Sequence, residues 1–256
     1  MLSLNEIKKY YPNLQGFERG ILREYLQYKI LEIIFKSKFG KKLSFLGGTA
    51  IRICYSGGRF SEDLDFDNFG LSQEEFGDMS KLIQKELQAE GYNVEYRNTY
   101  KMAYHSYFKF KDILFEEGLS PMENEKIMIQ IDTVSEDVKY SPEIFMLSKF
   151  DVTKNIKLTS ADIILSKKIG AVFGRKNVKG RDFYDIVFLR SFTDFNYEYL
   201  KEKFGIKNQQ DLKKKLLEKI ADLDLKKLAR DIEPFLVKPD EKARVVDFRE
   251  YVEQVL

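Results

Sequence analysis

The chain holds one cysteine, Cys54, one histidine, His105, and no tryptophan among its 256 residues. A lone cysteine excludes an intramolecular disulfide and a thiolate zinc site, and a lone histidine excludes a histidine-rich metal cage, so any metal must sit on oxygen. No 18-residue apolar run and no basic-then-apolar leader stand at the N-terminus; neither a membrane span nor a secretory signal is expected, and the cytoplasm is the expected compartment. An excess of one charge sign is also missing. With 43 basic and 41 acidic side chains the net charge is +2, so composition names no bulk polyanionic partner and any charge signal must be local. The hydrophobic content of 43% is enough for a buried core, in a length that suits one large or two small domains.

Between about residues 14 and 39, Phe17, Ile21, Leu22, Tyr25, Leu26, Ile30, Ile33 and Ile34 recur at three- and four-residue intervals, the period of an amphipathic helix. The apolar run Leu43 to Leu46 reads as a strand, Gly47-Gly48 as a turn, and the residues from Thr49 to Ile53 as a short helix before Ser56-Gly57-Gly58. Asp63-Leu64-Asp65-Phe66-Asp67 alternates strictly, which predicts a strand with carboxylates on one face. Ser72 and Glu75 form a capping-box signature for a helix that Gly91 closes. Three aromatic and β-branched segments, 92–100, 102–111 and 126–134, predict antiparallel strands. After Pro142 the pattern predicts helices almost to the end, near 160–173, 181–192, 209–217, 225–236 and 242–255, so the domain boundary is placed near residue 155. No internal repeat or low-complexity tract is present.

The chemistry concentrates in the acidic strand. On a strand, side chains two apart are about 7 Å from each other, and the carboxylates of Asp63, Asp65 and Asp67 repel unless something positive holds them. Oxygen-only ligation with positions left open for phosphate is the preference of magnesium. Asp132 is a third candidate. In Ile127-Met128-Ile129-Gln130-Ile131-Asp132 the alternation buries the isoleucines and leaves Asp132 with Gln130 on the other face. If the two strands are neighbours, the carboxylates can bridge two ions, as in in-line phosphoryl and nucleotidyl transfer. A D-x-D string by itself is more often a pair of surface aspartates. Here Gly47-Gly48-Thr49 precedes it after an apolar strand and at a helix start, where free N–H groups favour phosphate.

The stretch GGTAIRICYSGGRFSEDLDFD, residues 47–67, resembles the AbiEii/AbiGii nucleotidyltransferases, and LSKKIGAVFGRKNVKGRDFYDIVFL, residues 165–189, resembles the helical segment of the same family. The resemblance implies an α+β fold: a DNA polymerase β-like domain with a mixed, mainly antiparallel sheet flanked by helices over residues 1–155, and a C-terminal helical bundle over 156–256. It further implies that Gly47, Gly48 and Thr49 cradle a triphosphate and that Asp63, Asp65 and Asp132 hold the metal. The family's lysine falls on Lys168, with Lys167 as the alternative, and its acidic helix start on Asp182 and Asp185. Thr49 stands where polymerase-type sites more often have serine; it keeps the hydroxyl.

Residues 154–181 hold eight basic side chains (Lys154, Lys157, Lys167, Lys168, Arg175, Lys176, Lys179, Arg181) and one acid, Asp162, a local charge of +7. Such a patch suits a nucleoside triphosphate and an RNA acceptor; a solvated helical surface has the same composition. Arg52 and Arg59 flank the acidic strand as candidate phosphate clamps or as partners of nearby acids. Asp182 also suits a helix N-terminus simply through the dipole. Cys54 reads as a buried small hydrophobe and His105 as a structural histidine.

The expected activity is magnesium- or manganese-dependent transfer of a nucleoside monophosphate from a triphosphate to a hydroxyl. By resemblance the acceptor is a tRNA 3′ end, and the chain is a toxin with a separately encoded antitoxin as partner. The alternatives are a small-molecule (antibiotic-type) acceptor and a non-catalytic nucleotide- or protein-binding module. A haloacid-dehalogenase-type phosphatase is set aside because polar Gly58 to Glu62, not an apolar strand, leads into Asp63.

Overall fold

A computed structural model describes residues 1–256. The chain forms two compact units: one of residues 1–56, 60–137 and 141–158, and one of residues 57–59, 138–140 and 159–256.

The first unit is built on a seven-stranded sheet. Its strands are β1 (Leu43–Leu46), β2 (Leu64–Asn68), β3 (Val94–Tyr100), β4 (Tyr104–Phe110), β5 (Ile127–Ser135), β6 (Glu143–Lys149) and β7 (Val152–Leu158), in spatial order β3-β4-β5-β2-β1-β7-β6. Four pairings are antiparallel (β1 with β2, β3 with β4, β4 with β5, β6 with β7), and two are parallel, β2 with β5 and β1 with β7. The sheet is therefore mixed and mainly antiparallel. The helices are α1 (Leu4–Lys8), α2 (Glu18–Lys36), α3 (Gly47–Cys54), α4 (Gln73–Ala89) and α5 (Ile113–Glu116).

Period two along the strands decides which face is covered. Leu64, Phe66, Phe108, Phe110, Ile127, Ile129 and Ile131 are buried, and α2 and α4 pack against this side. Burying such side chains in full contributes about 1.5–3 kcal/mol each. The alternate positions Asp65, His105, Tyr107, Gln130 and Asp132 are only half buried. The capping box at α4 forms as the sequence predicts: Glu75 N donates to Ser72 Oγ at 3.2 Å and Ser72 N to Glu75 Oε2 at 2.9 Å, with Gly91 beyond its end at φ +97°.

Several expectations are corrected. Residues 143–158 form the β6-β7 hairpin instead of helix, and α1 is a helix that the sequence pattern does not predict. Gly47-Gly48 is no separate turn; both glycines belong to α3, which leaves β1 without a connecting loop. Asp67 does not join the half-buried carboxylates. It is 3% exposed and opposite Ser44 in the β1-β2 register.

The second unit is helical: α6 (Ala161–Gly174), α7 (Gly180–Arg190), α8 (Tyr197–Phe204), α9 (Gln209–Ile220), α10 (Leu225–Ile232), α11 (Ala243–Val246) and α12 (Phe248–Val255). Its centre is α7, which packs on α6, α10 and α11; Phe183 and Phe248 meet there with ring centroids 4.6 Å apart. The sequence pattern does not predict α8. Asn196 starts it by accepting from Tyr199 N, and Gly205 ends it at φ +66°, cap chemistry that suffices for a helix of eight residues.

Candidate functional site

The candidate carboxylates of the first unit are drawn together by strand register. In the β1-β2 pair Leu46 is opposite Asp65, in β2-β5 Asp65 is opposite Asp132, and in β4-β5 His105 is opposite Asp132. Asp65, Asp132 and His105 thus form one row across three adjacent strands, about 4.8 Å from strand to strand. Register partners point to the same face, so two carboxylates stand side by side on the half-covered side of the sheet. Asp63 lies one residue before β2.

Two contacts fix this row to α3. Thr49 is fully buried, and its hydroxyl donates to the carbonyl oxygen of Asp63. The hydroxyl expected at a phosphate cradle is here directed at the backbone that leads into the acidic strand. Gly47, at φ +82°, has no room for a side chain, because a β-carbon there would overlap the Asp65 carboxylate. The absence of a side chain lets the first turn of α3 and Asp65 approach each other, at the end of a helix where N–H groups lack intrahelical partners.

His105 makes a contact that the sequence did not reveal. Its Nδ1 is 2.6 Å from Asp132 Oδ1, and Gln130 Nε2 donates to the same oxygen at 2.7 Å. The signal was available in the alternation of β4, where buried Ser106, Phe108 and Phe110 place His105 and Tyr107 on the carboxylate face. Nowhere do three or more His, Cys, Asp or Glu side chains converge as a ready metal cage. Magnesium does not require one: it is commonly held by one or two carboxylates with water and substrate phosphates completing the shell, so the oxygen-only pair Asp65 and Asp132 fits it in kind.

Arg52 faces an acid. Its Nε donates to Glu24 Oε2 at 2.8 Å, and its guanidinium lies 4.4 Å from the Phe60 ring centroid. Glu24, 3% exposed, also receives Lys149 Nζ at 3.2 Å and the Tyr11 hydroxyl at 2.5 Å. Burial pushes the Glu24 carboxyl up, but Arg52 and Lys149 pull it further down, leaving it below the usual range. Arg52 and Lys149 line a cavity of about 350 Å³ together with Tyr28 and Ser148.

The other candidates form a buried ion cluster in the second unit. Arg59 donates Nε and Nη2 to the two Asp185 oxygens at 2.7 and 2.6 Å, both side chains being almost entirely inaccessible. Lys168 Nζ lies 2.7 Å from Asp185 Oδ2 and 3.4 Å from Asp182 Oδ1, and Arg175 pairs with Asp182. Desolvation raises the Asp185 carboxyl, yet Arg59 and Lys168 overcome it and hold it below the ordinary value. Lys167 instead lies over the Tyr199 ring at 5.3 Å. Within the basic stretch, Lys154 and Lys157 belong to β7, and Lys168 and Arg175 are paired with acids.

The candidate site is thus an acidic strand pair on a mixed sheet beside a glycine-started helix. The family model of the AbiEii nucleotidyl transferase toxin, type IV toxin-antitoxin system, matches residues 29–254, and the chain belongs to that family. Among solved structures it is similar to MenT4, a nucleotidyltransferase toxin from Mycobacterium tuberculosis, with 14% identity, a TM-score of 0.64, and coverage of 99% of this chain and 90% of that one. It is also similar to JHP933 from Helicobacter pylori, with 17% identity, a TM-score of 0.54, and coverage of 93% and 94%. Comparison with curated protein sequences finds no match. No helix is long and apolar enough to cross a membrane.

Proposed function

We propose that this toxin-family nucleotidyltransferase uses a divalent metal, magnesium or manganese, to move a nucleoside monophosphate from a triphosphate to the 3′ hydroxyl of a tRNA. The observation that carries the reading is the register of Asp65 with Asp132 on parallel strands β2 and β5. Two half-buried carboxylates side by side offer the oxygen donors that suit these metals. Asp63, Asp65 and Asp132 would hold it; when bound, it supplies charge neutralisation for the triphosphate and for the leaving pyrophosphate.

The acceptor oxygen attacks the α-phosphorus. Its proton passes to the Asp132 carboxylate, the new P–O bond forms, and the bond to pyrophosphate breaks. Gly47 and Gly48 offer the phosphates the N–H groups that open α3. On the second unit, Lys168 serves as a phosphate-binding cation whose ammonium Asp185 and Asp182 orient, and Arg59 completes the charge balance of that cluster. The separately encoded antitoxin is a partner in this reading.

The test is incubation of the chain with magnesium, each labelled ribonucleoside triphosphate and total tRNA, beside Asp65→Ala, Asp132→Asn and Lys168→Ala. Label should move to tRNA with the unsubstituted chain and not with either aspartate variant. Transfer only to small hydroxyl compounds would replace the acceptor, and transfer undiminished in Asp65→Ala would remove the carboxylate site.

A further inference from the structure

We infer that His105 and Gln130 are positioning residues that clamp one oxygen of Asp132 and thereby dedicate the other to the reaction; this rests on Asp132 being the reactive carboxylate proposed above. Both donors converge on Oδ1, at 2.6 Å from His105 Nδ1 and 2.7 Å from Gln130 Nε2. Neither engages Oδ2.

The two donors reach Asp132 from different directions in the sheet. Gln130 is two residues away on β5, on the same face by the period of the strand. His105 comes from the antiparallel neighbour β4, where it is the register partner of Asp132. A side chain gripped from its own strand and from the next cannot turn about its Cβ–Cγ bond without breaking both contacts. An ionised carboxylate offers only lone pairs, so the bridging proton is on His105 Nδ1, and the imidazole tautomer is set by Asp132. The side chains are 28% and 24% exposed, so the contact is not fully competed by water. The clamp leaves Oδ2 as the oxygen for a cation or for the proton of the attacking hydroxyl. Supporting donors of this kind are worth about 10- to 100-fold in metal affinity or rate.

His105 is the only histidine in the chain, so its ring nitrogens give an unambiguous signal in the full-length protein labelled with ¹⁵N-histidine. At pH 8 and without metal, the spectrum should show the proton on Nδ1 in the unsubstituted chain and its redistribution toward Nε2 in Asp132→Ala. In the transfer assay, His105→Phe is expected to lower kcat about 10- to 100-fold with KM for the triphosphate little changed. His105→Asn should restore most of the rate, because its amide nitrogen is bonded to Cγ as Nδ1 is. Gln130→Leu should weaken Mn²⁺ binding by the protein alone, and thermal unfolding checks that each variant is folded. A proton resident on Nε2 whether or not Asp132 is present overturns the clamp. So does an unchanged rate in His105→Phe when Asp132→Asn is inactive, which leaves the carboxylate site standing. Full activity in Asp132→Asn instead removes the site reading itself.

Discussion

The Asp65 carboxylate occupies the space that a side chain on Gly47 would need, and Gly47 itself has φ +82°. Replacing it with alanine imposes two penalties, a left-handed conformation worth about 1–2 kcal/mol and displacement of Asp65 from the start of α3. Gly47→Ala is expected to fold with a lowered melting temperature and to lose about 100-fold in nucleotide transfer, the scale of a 1 Å misplacement. Wild-type transfer by a folded Gly47→Ala protein would show that the reaction does not need Asp65 where it is.

Arg59 and Asp185 form a buried bidentate pair whose two members are more than 120 residues apart in sequence. Asp185 also holds Lys168, and removing its charge from this buried cluster costs about 3–5 kcal/mol; Asp185→Asn should lower the denaturant midpoint accordingly at pH 7. The pair also has a pH signature. Asp185 is held below its unfolded value of about 3.9, so its stabilisation is complete above that value and is lost as pH falls through the folded-state pKa. Unfolding titrations from pH 7 to pH 3 should show a loss in the unsubstituted chain that is smaller in Asp185→Asn; equal slopes would place the acid sensitivity in other carboxylates.

Gly180 opens α7 beneath α10, and a β-carbon there would run into the backbone carbonyl of Leu228. Alanine in a helix ordinarily stabilises relative to glycine by about 0.5–1 kcal/mol. Here the sign should reverse, with Gly180→Ala destabilised by about 1–3 kcal/mol through overpacking. Equilibrium unfolding in urea decides it: a gain in stability would mean that α10 yields.

The acidic strand and strand β5 were legible because their side chains repeat with period two. The β6-β7 hairpin was not. Its turn is made at Phe150, a residue with φ +59° where a glycine or asparagine would have been the signal. The cost of that conformation is offset by packing: the Phe150 ring stands 4.9–6.0 Å from the rings of Tyr10, Tyr11, Tyr25 and Tyr28. Exposed Ile144 and Met146 further blur the alternation of β6. The contact between His105 and Asp132 was hidden for another reason, since it depends on which residues of two strands are opposite each other. Alternation gives the face of a side chain but not its cross-strand partner.

Glu24 contacts both Arg52 and Lys149, and it lies on α2 with its side chain 3% exposed. Burial lowers the Lys149 ammonium below its ordinary range even with Glu24 beside it. Glu24→Gln is therefore expected to destabilise the chain by about 3–5 kcal/mol at pH 7, more than a buried neutral hydrogen bond at about 1 kcal/mol would. The double variant Glu24→Gln with Lys149→Met should recover part of the loss, because it removes a cation that would otherwise stand beside Arg52 without its counter-charge. Denaturant unfolding of the two single variants and the double gives the coupling directly. A Glu24→Gln protein within about 0.5 kcal/mol of the unsubstituted chain, the range of ordinary surface changes, would mean that water and Tyr11 alone satisfy the cluster.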